Sequence, residues 1–277
     1  MASLNNNARR VAILGAFFVA SLFVTRVLAA DCTPTGSGQT VTVQRVYDGD
    51  TLALVDGRRV RLIGVNTPEL GRGAKRDEAF ARAARQAVEE FLVGADNIKI
   101  YFDAEARDRH GRYLAHLSKI SSTGITENLE QVLLAKGLAY HVAVPPNLQM
   151  ARCFAQVENE ARRARLGLWG ASSSALPAIR PVKEGGYQRV KARVQRVAVS
   201  SGKAWWINLD NNLTAVIYPE YQSHFDSATV RAWPGQWLEV EGWVYRAHYR
   251  GKPQWRVKLQ TPYAVTLDPD SRRDGAH

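Results

Sequence analysis

The dipeptide Asp56-Gly57 stands between two runs of strand-forming residues, Thr51–Val55 and Arg58–Val65, and it turns the chain back on itself as an antiparallel hairpin. No other feature constrains the fold as tightly, because a hairpin fixes which side chains meet. If Val55 faces Arg58 across a two-residue turn, Leu52 faces Arg61 and Asp50 faces Ile63, so Arg61 becomes a diagonal neighbour of Asp50 on one side of the ribbon. The two-residue period of a strand puts Asp48 on that side as well. Two carboxylates this close repel each other unless a cation lies between them, and oxygen-only donors suit calcium or magnesium better than zinc. Asp50 is the first choice for a direct ligand.

A second cluster, Arg107-Asp108-Arg109-His110-Gly111-Arg112-Tyr113, follows the expected strand Ile98–Phe102. It adds another guanidinium beside a glycine that lets backbone approach a ligand. Two arginines suit a phosphate that gains charge as it reacts. Other chemistries lack their parts. There is no His-x-x-His or Cys-x-x-Cys spacing, no Gly-x-Ser-x-Gly elbow and no Walker-type glycine loop, and the six histidines are scattered.

Tyr47-Asp48-Gly49-Asp50-Thr51, the run Arg61-Leu62-Ile63-Gly64-Val65-Asn66-Thr67-Pro68-Glu69, Asp108-Arg109-His110-Gly111-Arg112 and the closing Gly167-Leu168-Trp169 occur in one order. In that combination the chain resembles the staphylococcal nuclease (thermonuclease) family over roughly residues 40 to 170. The resemblance implies an α+β, mainly β fold, a five-stranded OB-type barrel with three helices, and a calcium-dependent phosphodiesterase acting on DNA and RNA with little sequence specificity. It implies products that end in 3′-phosphate, and no organic cofactor. Position by position, Asp50 matches a direct Ca2+ ligand, Thr67 a ligand through its backbone carbonyl, and Asp48 an acidic group near the metal. Asn66 stands where well-studied members carry an aspartate that also binds calcium. An amide keeps the carbonyl oxygen without the charge, so calcium is expected to bind more weakly or to lean on substrate phosphate. Glu69 matches the carboxylate proposed as general base, and Arg61 and Arg112 match the arginines that bind the scissile phosphate. Asp108 matches a residue that fixes its loop. His110 replaces a tyrosine that contacts nucleotide phosphate, and Tyr140–Pro146 lacks the tyrosine pair expected near the base. Tyr113, Tyr140 and His141 are the alternatives for stacking on a base.

The first thirty residues read as a signal peptide or N-terminal anchor: Arg9-Arg10, the apolar run Val11–Val24, then Ala29-Ala30 suited to a signal peptidase. Cleavage there would make the protein periplasmic or secreted, whereas an uncleaved segment would hold it at a membrane. Removing residues 1–29 takes away Arg9, Arg10 and Arg26 and no acid, so the net charge falls from +11 to +8 and polyanions remain natural partners. Cys32 and Cys153, the two cysteines, either pair in an oxidising compartment or remain free thiols.

Residues 37–170 are expected to form the nuclease-like domain. Phe80, Ala83, Ala84, Ala87, Val88 and Phe91 recur on one helical face, as do Leu129, Val132 and Leu133 before Gly137, and Phe154, Val157, Ala161 and Ala164 before Gly167. Residues 171–186 turn to Ser, Pro and Gly and read as a linker. Residues 187–268 then offer five short strands, Val190–Val199, Ala204–Leu209, Thr214–Tyr218, Trp237–Tyr245 and Gln254–Leu259, enough for a second small β-barrel of OB type. Trp205, Trp206, Trp233, Trp237, Trp243 and Trp255 are interleaved there with arginine and lysine, a composition suited to single-stranded nucleic acid, although a barrel this small is expected to bury half or more of them. Tyr249, Arg250 and Lys252 are the surface candidates, and residues 269–277 read as a disordered tail. An alternative reading makes the whole chain a nucleic-acid or protein-binding module on the nuclease fold. A third makes it an anchored adhesive protein.

Overall fold

In a computed structural model, which describes residues 32–71, 73–95, 97–121, 123–170, 181–249 and 251–267, the hairpin at Asp56-Gly57 closes through three residues and not two. The amide of Gly57 donates to the Leu54 carbonyl at 3.0 Å, and the amide of Leu54 donates to the Arg58 carbonyl at 2.8 Å. Gly57 itself adopts φ 85°. A type I turn followed by a left-handed glycine produces this geometry. The ladder therefore runs Thr51↔Arg61, Leu52↔Val60 and Ala53↔Arg59. That corrects the expected pairing of Leu52 with Arg61 by one residue. The expected signal segment or anchor, linker residues 171–180, Arg250 and the tail lie outside the described residues.

The first barrel is built from β1 (Gln39–Thr40), β2 (Val43–Val46), β3 (Thr51–Leu54), β4 (Arg59–Leu62), β6 (Ile98–Tyr101) and β7 (Tyr113–Ile120), with β8 (Thr126–Asn128) at its edge. A short ribbon of β5 (Val65–Asn66) with β9 (Tyr140–His141) lies apart from this sheet. The strand order is β1-β6-β7-β4-β3-β2, with β4 and β7 parallel. Because β1 and β2 are successive segments of the chain, this order brings the sheet back on itself as a barrel. Helices α1 (Ala81–Leu92), α2 (Leu129–Ala135) and α3 (Ala151–Arg163) pack their apolar stripes against it, and Leu52, Leu62, Ile100, Leu117, Leu133 and Phe154 are almost wholly buried in one core. The stripes are one residue shorter than expected at two places. Phe80 precedes α1 in a left-handed conformation and stays 36% exposed, and Ala164 caps α3 at the surface.

Cys32 and Cys153 form a disulfide that ties the segment before β1 to α3 across 121 residues. A loop of that size restricts the unfolded chain strongly. Replacing both cysteines by serine should lower stability by about 4–5 kcal/mol, read from urea unfolding of the two forms.

A second sheet comprises β10 (Gly186–Ala198), β11 (Trp205–Leu209), β12 (Leu213–Ile217), β13 (Trp237–Tyr249), β14 (Lys252–Lys258) and β15 (Val265–Leu267), with α4 (Ser227–Arg231) between β12 and β13. Its order is β10-β11-β12-β14-β13, β13 also pairs with β10, and β12 runs parallel to β14. The first, second, third, fifth and fourth strands thus close on the first, the same connectivity as in the first barrel and that of an OB ring. The five expected strands are all present, and β15 is an addition. Fewer tryptophans fill the interior than expected: Trp205 and Trp233 are buried, Trp206, Trp237 and Trp255 remain partly exposed, and Trp243 is 48% exposed. The core is filled instead by aliphatic side chains from every strand, among them Val190, Ile207, Leu213, Leu238 and Val257.

The barrels meet through α3. Arg162 bonds Glu158 on its own helix and both Glu239 and Glu241 on β13, while Arg189 on β10 bonds the same two carboxylates. Beside this cluster His141 is buried against Phe154 and Tyr263, and burial, helped by the nearby Arg162, pulls its pKa down to about 4. The unfolded chain takes up that proton near pH 6.5, so the contribution of the neutral ring is complete above pH 6.5 and is lost as pH falls toward 4. The loss should amount to roughly 3 kcal/mol and should vanish from the stability–pH curve of His141→Asn, measured by urea unfolding between pH 4 and 8.

Candidate active site

Asp50 lies just before β3, and its backbone carbonyl accepts from the Leu62 amide at 2.8 Å, in the same register as the ladder that follows. Asp50 meets Arg61 although the register is not the one that the expected two-residue turn would set. The carboxylate is 2% exposed and fully engaged. Oδ1 accepts from Thr51 Oγ1 at 3.1 Å and meets the Arg61 guanidinium, while Oδ2 accepts from the amide and hydroxyl of Thr67 at 2.8 and 3.0 Å. Asp48 is also buried and accepts from the Asp50 amide at 3.1 Å. The loop holding them requires Gly49, since a Cβ there would stand 2.6 Å from Thr67 Cγ2 and 2.8 Å from the Ala84 methyl of α1.

Arg61 is the centre of the group. Its second amino group donates to Asn66 Oδ1 at 2.9 Å and to the Val65 carbonyl at 3.3 Å. Burial lowers its pKa to about 10, Arg112 pushes the same way, and Asp48, Glu69 and Asp108 oppose both. The guanidinium is therefore charged at neutral pH, and those four side chains all act on it. Arg112 donates to Asp108 Oδ2 at 2.7 Å, and Asp108 Oδ1 accepts from the amides of His110 and Arg112 at 2.8 and 2.9 Å. Asp108 thus fixes the loop, the role the resemblance implies for it. Glu69 is exposed on the loop that follows Thr67; its amide bonds Glu78 Oε2 at 3.0 Å and its carbonyl accepts from the Glu78 amide at 2.9 Å.

Asp48, Asp50, Arg61, Asn66 and Thr67 therefore come together, with Glu69 and Arg112 within electrostatic reach. His110 and Tyr113 lie on a groove of about 430 Å³ that Arg112 shares with Arg58, Arg59 and Arg107. One ring face of Tyr113 lies under the Arg107 guanidinium at 4.2 Å, and Arg58 lies 5.5 Å from the ring centre. Tyr140 takes a different position. Its backbone pairs with Asn66, but its ring packs against Trp169 at 5.6 Å and Tyr187 at 5.4 Å, between the barrels. Thr51, whose hydroxyl bonds Asp50, and the groove residues Arg58 and Arg59 were not singled out from sequence, whereas Arg107 belongs to the second cluster. The doublet Arg58-Arg59 beside the turn was the available signal.

Among the described residues no three acidic, histidine or cysteine side chains gather as a metal site. The donor set fits a hard cation all the same. Two buried carboxylates, Asp48 and Asp50, and the Asn66 amide oxygen are all hard oxygen donors, here engaged by the Asp50 amide, by Arg61 and Thr67, and by Arg61 in turn. With an amide replacing a third carboxylate, and with Asp50 shared with Arg61, such a site depends on oxygen atoms from outside the chain.

A family model described as staphylococcal nuclease homologue matches residues 59–171. Arg61, Asn66, Thr67, Glu69 and Arg112 fall inside that match, Asp48 and Asp50 precede it, and the second barrel follows it. The chain is 33% identical over 136 residues to a thermonuclease of Staphylococcus intermedius, covering 48% of this chain and 77% of that one. It is 30% identical over 145 residues to a micrococcal nuclease of Shigella flexneri, covering 49% and 76% of the two chains. A similar match, 31% over 153 residues, is made to an uncharacterized protein of Methanocaldococcus jannaschii, covering 48% and 72%.

Proposed function

The chain belongs to the staphylococcal nuclease family, whose members among its relatives support a nuclease function, and on that premise we propose that it is an exported, calcium-dependent enzyme cutting DNA and RNA with little sequence preference and leaving 3′-phosphate ends. The observation that carries this reading is the placing of Arg61, buried between Asp50 and Asn66, with Glu69 and Arg112 acting on the same guanidinium.

In this reading Arg61 and Arg112 bind the non-bridging oxygens of the scissile phosphate and stabilise the charge that grows on them in the transition state. Both guanidiniums are already oriented by carboxylates, Arg61 by Asp50 and Arg112 by Asp108, so little rearrangement is needed when phosphate arrives. Glu69 accepts the proton of the attacking water, and its backbone bonds to Glu78 hold it at the site. Asp50, Asp48, the Asn66 amide oxygen and the Thr67 carbonyl would hold calcium. That ion, when bound, supplies a Lewis acid beside the phosphate. The groove of Arg58, Arg59, Arg107 and Tyr113 suits the continuing phosphate backbone of the substrate.

Export draws support from the N-terminal apolar segment and from the Cys32–Cys153 disulfide, a bond favoured in oxidising compartments. Among the described residues no helix is long and apolar enough to cross a membrane.

The test is a calcium titration of cleavage with end-group analysis of the products. Asn66→Asp restores a third carboxylate and should lower the calcium concentration for half-maximal activity by about tenfold, within the range over which ligand charge tunes such sites. Cleavage indifferent to EGTA, or products ending in 3′-hydroxyl, would overturn the reading.

A further inference from the structure

The side of the second barrel turned away from its core carries aromatic rings alternating with cations. On β11 Trp206 lies between the buried Trp205 and Ile207, so its ring points outward. The register then sets a row across four strands on the side away from the core: Trp206 faces Val216, Val216 faces Lys258, Thr214 faces Arg256, and Arg256 faces Tyr245, with Val216 and Thr214 covered beneath their neighbours. Arg256 lies 4.8 Å above the Trp206 ring, and the Lys258 ammonium lies 5.6 Å from the rings of both Tyr218 and Tyr221. The Tyr218 and Tyr245 hydroxyls are 3.2 Å apart. All four rings stay partly exposed.

The second barrel is basic. Residues 181–267 contain twelve lysines and arginines against six acids. Two of those acids, Glu239 and Glu241, are consumed by Arg162 and Arg189 where the barrels meet. At the end of the outward row a cleft of about 410 Å³ opens between the β11–β12 turn and the β13–β14 arm. Its polar lining is Asn208, Asn212, Thr214, Gln254 and Arg246, without a carboxylate, and Arg246 lies 5.4 Å from the Trp255 ring in its wall.

We propose that this face is a second nucleic-acid site, taking single strands. Their bases stack on Trp206 and the tyrosines, and their phosphates lie against Arg256 and Lys258. Rings can be used this way only by bases that are not already stacked inside a duplex, and every base has a face to offer, so the site discriminates single from double strands without reading sequence. The amide-lined cleft gives the strand a path off the sheet. Binding here does not require the cleavage assigned to the first barrel, and the test separates the two.

The test uses the full chain in EGTA on a Glu69→Gln background, with anisotropy of a labelled single-stranded oligonucleotide of about 15 nucleotides, near the upper site size for such barrels. Trp206→Leu, which keeps an apolar side chain but cannot stack, should weaken binding about tenfold, and Trp206→Phe should retain most of the affinity. Arg256→Gln should reduce the slope of log affinity against log salt by about 0.7, one phosphate contact. Thermal unfolding of each variant identifies any that has lost its fold, and the Phe variant keeps the comparison open if the Leu variant does. Wild-type affinity in Trp206→Leu would overturn the proposal. So would an equal loss of heparin binding in that variant, because heparin has charge and no bases.

Discussion

Glu69→Gln should reduce the rate of phosphodiester cleavage by about 10²–10⁴ while leaving the affinity for a single-stranded oligonucleotide in EGTA within a few fold of wild type. The change removes proton-accepting capacity and almost nothing else. Glu69 is held by backbone bonds to Glu78 that a glutamine keeps, and its side chain is exposed, so no buried contact is lost. The loss should fall on kcat, since a general base acts in the transition state and not in the bound ground state. Single-turnover cleavage beside anisotropy binding checks both halves. A variant that cleaves like wild type would remove Glu69 from the chemistry, and one that loses binding as well would make its role structural.

Arg61→Ala should damage stability and cleavage together. In the native state it leaves the nearly inaccessible Asp50 carboxylate without its countercharge, and breaking a buried ion pair from one side costs about 3–5 kcal/mol. In the proposed function it also deletes a phosphate donor, and loss of one such donor typically lowers kcat by about 10²–10³. Urea unfolding and kcat/KM measured on the same preparations separate the two effects. Asp50→Asn with Arg61→Ala should recover part of the stability, because the stranded charge is gone, and none of the activity. Arg61→Lys should rescue neither fully. A lysine presents one ammonium, whereas Arg61 here reaches Asp50, Asn66 and the Val65 carbonyl through two separate amino groups.

Much of this site can be read along the chain because its members are close in sequence. Asp48, Asp50, Arg61, Asn66, Thr67 and Glu69 all fall within one hairpin and its exit; a turn signal and a strand period gather the first three, and the family resemblance supplies Asn66, Thr67 and Glu69. The details of their contacts are not readable that way. Asp56-Gly57 is compatible with either a two-residue or a three-residue loop, and only the left-handed Gly57 closing onto Leu54 selects the latter and shifts every pair by one. That Asp50 still meets Arg61 in the shifted register is a contact that the strand period alone does not give.

Long-range contacts were the least accessible to sequence. Tyr140 was a reasonable base-stacking candidate until the second barrel supplied Tyr187 as its neighbour, and the bond from Arg162 to Glu239 spans 77 residues with no local trace. In the second barrel the turn residues marked the five strands, and the closing pair β10–β13 supplied the ring. Which tryptophans face inward followed from alternation within each strand once its register was known. Composition had suggested a fuller interior than the aliphatic core requires.

The most direct measurement is hydrolysis of single-stranded DNA, double-stranded DNA and RNA by the purified chain lacking its first thirty residues, in calcium, magnesium or EGTA. Cleavage of all three polymers in calcium and none in EGTA is the expected result, and it would tie the constellation around Arg61 to the reaction. No cleavage in any metal, with oligonucleotide binding intact, would contradict the account and leave two barrels that bind nucleic acid without cutting it.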